Sequence, residues 1–211
     1  NTNNVEIGGN SNGAVAHQAL GLIDEVRVYN RALAPSEILD LYNNTNGTPG
    51  AGTGVAFVTS TTYNGNLGGV AGADAICQAR ASAAGLSGTF KAWISTGAGN
   101  QPSSTFAQSS VGYVMTNGEI IANDWTDLVN GLDTQLDISE LGTDPGGTNN
   151  VWTNVLISGA TEAAVNCLGW TDSTAGQSGA RGLKNGTVGA TWTDSTTNAC
   201  NALLRLYCFQ Q

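Results

Sequence analysis

Several residue types that carry chemistry are scarce in this sequence. One histidine, His17, and one methionine stand among 211 residues, with four cysteines. Lys and Arg number seven against sixteen Asp and Glu, for a net charge of −9. The cations are scattered as Arg27, Arg31, Arg80, Lys91, Arg181, Lys184 and Arg205 and form no basic patch. Such a surface repels phosphate backbones and anionic lipid, which excludes nucleic acid and membrane surfaces as expected partners. No apolar run approaches the roughly 20 residues of a membrane-spanning helix. His17 sits in no HxE or GxSxG context, so serine or cysteine nucleophiles lack a base, and no GxGxxG or P-loop offers a nucleotide site. The acids are loose in an acidic chain and read as solvated surface, so we expect no catalytic residues and no enzyme.

Polar, turn-forming residues fill the place of charge. Charged residues make up 11% and glycine occurs 29 times, a low-charge, turn-rich composition typical of secreted β-rich proteins. The chain opens at Asn1 without a leader-like segment and reads as a processed or excised piece. Residues 1–42 contain strand-like VEIGG (5–9) and LGLIDEVRVYN (20–30), then RALAPSEILDLY, where Pro35 and Ser36 start a helix. Residues 43–54, NNTNGTPGAGTG, lack an apolar anchor and read as a linker. Residues 55–211 form the main domain. Strand VAFVTS leads into a helix over 68–85 with Val70, Ala73, Cys77, Ala81 and Ala84 at spacings of three and four. FKAWIS (90–95) is a strand, long loops with Trp anchors follow, and LLRLYCF (203–209) closes the domain.

Four cysteines in a low-charge chain point to two disulfides and an oxidising, extracellular or cell-surface location. Three pairings are possible and spacing does not choose among them. ICQARASAAGLSGTFKAWIST, GYVMTNGEIIANDWTDLVNG, NVWTN, NCLGWTDSTAGQSGARGL and ACNALLRLYCF together resemble the endostatin module of non-fibrillar collagens, a C-type-lectin-like fold, over residues 55–211. The resemblance implies an α+β domain with nested bridges, Cys77–Cys208 outside and Cys167–Cys200 inside. A looser similarity is to bacterial surface domains with this cysteine framework. GLIDEVRVYNRALAPSEILDLY, with VEIGG before it, resembles the last strands and C-terminal helix of a laminin-G-like, concanavalin-type jelly roll. Only the tail of such a β-sandwich is present, a short β-strand and helix remnant.

Candidate sites follow from these parts. Asp124, Asp127, Asp133, Asp137, Glu140 and Asp144 cluster in Gly- and Asn-rich sequence that offers oxygen ligands to calcium. TWTDS (191–195) faintly echoes the second calcium motif of sugar-binding C-type lectins, so we single out Asp137, Glu140, Asp144 and Asp194 as metal candidates. No Glu-Pro-Asn is present, and the zinc-binding histidines and heparin-binding arginines of endostatin are missing. Trp125, Trp170 and Trp192 lie among polar residues and could stack on a sugar or pin loops, whereas Trp93 and Trp152 read as core. Asn43, Asn46 and Asn185 fit the Asn-x-Ser/Thr sequon. These features imply a non-enzymatic recognition or adhesion module for an extracellular glycan or protein. The alternative is a structural subunit of a surface filament or array, in which the jelly-roll remnant joins other copies by strand addition.

Overall fold

A computed structural model describes residues 29–32, 54–162, 165–186 and 189–211. The expected remnant at 1–42 lies outside the described residues except for 29–32, and the expected linker except for Gly54. The chain divides into two compact units, Asn1–Gly47 and Thr48–Gln211. The second unit is mixed α and β.

Its elements in chain order are β1 (Gly54–Val58), α1 (Gly69–Ala83), β2 (Phe90–Ala92), α2 (Pro102–Thr105), β3 (Tyr113–Met115) and β4 (Ile120–Ala122). Next come α3 (Trp125–Leu128), β5 (Asn150–Trp152), β6 (Ser178–Leu183), a 3₁₀ turn at Gly189–Trp192, β7 (Thr196–Ala199) and β8 (Tyr207–Gln210). Helix α1 buries Ala73, Cys77 and Ala81, one face at spacings of four. It ends where Leu86 N–H returns to Ala81 O and Gly85 N–H to Ser82 O, with Gly85 at φ 74°. That closure needs a left-handed residue, which glycine supplies without a Cβ clash.

A five-stranded sheet runs β2-β8-β1-β3-β4, with only the β1–β3 pair parallel. The last strand therefore lies between the first two, pairing Cys208 with Phe57 on one side and Ala92 on the other. A second, antiparallel sheet runs β5-β6-β7. The closing strand is shorter than the expected 203–209. Leu203 is exposed, while Leu204 and Arg205 leave the sheet to bridge Tyr63 and Val151. FKAWIS likewise forms a strand only over Phe90–Ala92, with Trp93 N–H still reaching Tyr207 O at 2.9 Å.

The disulfides are Cys77–Cys208 and Cys167–Cys200, nested as expected. One core surrounds Trp93, whose ring lies 5.0–5.9 Å from those of Phe106, Trp125, Trp192 and Phe209. The other gathers both disulfides with Phe57, Phe90, Trp152 and Trp170. Gly179 is required there: a Cβ would stand 2.8 Å from Cys167 Sγ and 2.9 Å from the Trp170 ring.

Candidate functional site

The acid-rich loop between β4 and β5 is held by cations from elsewhere. Glu140 is buried, and Arg80 on α1 and Ser60 close on it: Arg80 Nε donates to Oε1 at 2.7 Å, Ser60 Oγ at 2.6 Å, and Ser60 N–H reaches Oε2 at 2.9 Å. Lys184, buried at the end of β6, donates Nζ to Asp144 Oδ1, and that hydrogen bond holds Asp144 below the usual carboxylate range. Arg205 donates to the carbonyls of Thr59 at 2.6 Å and Gly146 at 2.9 Å. Desolvation raises Asp137, with Lys184 opposing it. Two of the loop's acids, Glu140 and Asp144, are thus paired with cations from distant segments.

Two of the acids singled out for calcium, Glu140 and Asp144, are engaged by these cations. Asp137 lies within reach of the Asp144 charge, while among the described residues no three His, Cys, Asp or Glu side chains are grouped to hold a metal. Asp124 caps α3 by accepting from Asp127 N–H at 2.8 Å, and Asn123 Nδ2 bridges Asp127 and Asp133. The charge partners sit on distant segments, where sequence proximity gives no hint of them.

Of the two readings given to the tryptophans, the structure places all three in or against the core. Trp170 and Trp192 are 0% exposed, so neither offers a ring face to a sugar. Trp170 Nε1 donates to Ser95 O at 2.9 Å, pinning two loops together. Trp192 packs on Trp93 and Tyr207. Trp125 is half-buried and stacks on Trp93 at 5.9 Å.

Two features were not anticipated. Residues 154–162 double back on themselves, with Leu156 N–H to Ala160 O and Glu162 N–H to Asn154 O, both in hydrogen-bond range. Thr161 ties this loop to Gln101 Oε1 through its N–H at 2.9 Å and to Ser95 Oγ at 2.6 Å. At its end stands Glu162; burial first, then the nearby Asp194 side chain, raise the Glu162 carboxyl above its usual range. Its Oε2 is buried without a hydrogen-bond partner. The two acids are far apart in sequence and carry no shared motif; only the echo in TWTDS drew attention to Asp194. The second feature is a left-handed turn, Cys167, Leu168, Gly169 and Trp170, with φ from 48° to 73°. Asn166 Oδ1 caps it through Gly169 N–H at 2.9 Å, and Leu168 is 62% exposed at its tip.

Among the described residues, Glu140 and Asp144 are thus engaged by Arg80 and Lys184, and all four cysteines are bridged. No helix among the described residues is long and apolar enough to cross a membrane. Comparison with curated proteins finds no match. A family model described as "Protein of unknown function (DUF1554)" matches residues 60–187, more than half of the chain. The match runs from before α1 to just past β6 and takes in the acid-rich loop and the turn at Cys167–Trp170, and the chain belongs to the DUF1554 family.

Proposed function

We propose that the unit is a non-enzymatic, extracellular or cell-surface recognition module with a C-type-lectin-like, endostatin-like fold. The observation that carries this reading is the nested pair of disulfides around long, irregular loops, with a C-terminal strand inserted beside the first strand. Disulfides persist in oxidising compartments, and loops held on a rigid scaffold are where binding residues gather. With Trp170 and Trp192 buried and Glu140 and Asp144 paired with Arg80 and Lys184, a protein partner fits the surface better than a stacked sugar.

Surface plasmon resonance against immobilised extracellular-matrix proteins, beside a glycan array run with and without calcium, tests the reading. Saturable binding by the oxidised protein that vanishes after reduction and alkylation is expected. Absence of any saturable response on either surface would sink it. The structural-subunit alternative predicts polymers that disappear on deletion of residues 1–42, which light scattering reads directly.

A further inference from the structure

Asp144–Pro145 is the only Asp–Pro bond in the sequence. Such a bond is open to attack by its own side chain. The Asp carboxylate closes a five-membered ring on the main-chain carbonyl, and the proline nitrogen, which carries no N–H in the peptide, leaves as a secondary amine that takes up a proton readily.

The surroundings of this bond hold a nucleophile against it. Gly146 N–H donates to Asp144 Oδ1 at 2.9 Å, which folds the carboxylate back over the bond that follows it. Lys184 Nζ stands 2.5 Å from the same oxygen. The Lys184 side chain is 3% exposed and the Asp144 side chain 49%, so the amine is the partner kept from water. Lys184 N–H donates to Asn149 O at 2.8 Å, which ties the end of β6 to the chain just past Pro145. Arg205 holds the chain between, with Nη2 donating to Gly146 O at 2.9 Å and Nε to Thr148 O at 3.3 Å. Both sides of the bond are thus fixed beside one primary amine.

We propose that Asp144, Pro145 and Lys184 form a self-processing site, at which the Asp144–Pro145 peptide bond is exchanged for an isopeptide bond between Asp144 and Lys184. First, the Asp144 carboxylate attacks its own main-chain carbonyl carbon, the C–N bond to Pro145 breaks, and a cyclic anhydride forms. The buried Lys184 ammonium, now without its counter-charge, gives the departing nitrogen its first proton. The freed Nζ then attacks the anhydride at Cγ, the ring C–O bond breaks, and a second proton passes to Pro145. The pair begins as carboxylate and ammonium and ends as the new α-carboxylate of Asp144 and the secondary ammonium of Pro145. Nothing is oxidised, and neither water nor a co-reactant enters. The product is a nicked, branched chain. Its isopeptide joins residues 1–144 to 145–211, as Cys77–Cys208 does, but survives reduction.

The test takes the full chain with its disulfides formed and incubates it folded at neutral pH, beside a sample unfolded in urea. Each is then reduced and read by intact mass, N-terminal sequencing and peptide mapping. Folded protein should yield one reduced species of unchanged mass with a second N-terminus, Pro145-Gly146-Gly147, and a branched peptide joining Asp144 to Lys184. Unfolded protein should yield at least about tenfold less of that peptide. Pro145→Ala keeps the Asp144–Lys184 pair but offers a poorer leaving nitrogen, and should lower the yield about tenfold or more. Lys184→Arg keeps the charge without the nucleophile and should abolish the branched peptide, so that any cleaved chain parts into two fragments on reduction. Should Lys184→Arg fail to fold, Pro145→Ala answers the same question without touching either charge. Folded parent protein that stays uncleaved, that parts into two fragments carrying one added water, or that cross-links with loss of water and no new N-terminus overturns the exchange.

Discussion

Glu140 shows how one side chain organises a loop in this protein. It is buried and accepts from Ser60 N–H, Ser60 Oγ and Arg80. Glu140→Ala would leave Arg80 and Ser60 with unmet hydrogen-bonding demand, and we expect a loss of about 2–3 kcal/mol in urea unfolding. Glu162 predicts the opposite pH behaviour from an ordinary surface acid. Its folded carboxyl is raised, chiefly by burial, so its contribution is full below the unfolded carboxylate value of about 4 and is lost as pH rises through the raised value. Glu162→Gln should therefore gain on the parent protein between acid and neutral pH in thermal melts. A difference that stays constant with pH would contradict the raised Glu162 carboxyl. Leu168 carries a different strain, a left-handed φ of 52° at an exposed position. Leu168→Gly should stabilise by about 0.5–1 kcal/mol, the relief of the Cβ clash less the added freedom of the unfolded chain.

At the scale of elements, the distinctive device is a helix that stands in for a strand. Asp74 and Gln78 are one helical turn apart on α1, so their side chains fall on one face and meet Ala92 and Phe90, which alternate along β2. The helix thus closes the sheet edge that lies under it. Asp74→Ala together with Gln78→Ala leaves two strand N–H groups without partners, at an expected cost of about 1–3 kcal/mol and with faster exchange at Phe90 and Ala92. Unchanged exchange at those amides would show that water replaces the side chains fully. The helix itself was readable from its small-residue spacing, and β1 and β2 from their apolar runs. Strand ends were not readable, because Leu203 to Leu206 leave the sheet for contacts with residues far along the chain.

For the whole molecule, the disulfides tie together segments 131 and 33 residues apart. In the chain-entropy model the outer bridge stabilises by about 5 kcal/mol and the inner by about 4, not additively when nested. The double replacement Cys77→Ala with Cys208→Ala should therefore lower the urea midpoint more than Cys167→Ala with Cys200→Ala. The reverse order would show that the left-handed turn and the buried tryptophans depend on the inner bridge beyond its loop closure.

The sequence by itself determined the composition class, the α1 helix, the first strands, the presence of cross-linkable cysteines and the scarcity of nucleophile–base chemistry, because all of these are local or compositional. The nested cysteine order came through likeness to a known framework, since spacing leaves three pairings equal. Only the tertiary structure decided what each polar residue does. It matched Glu140 and Asp144 with Arg80 and Lys184, buried Trp170 and Trp192 inside the loops that surround them, and set Glu162 against Asp194. The reason is physical: a charge or a ring takes its role from its nearest neighbours in space, and in a chain of long loops those neighbours are rarely near in sequence.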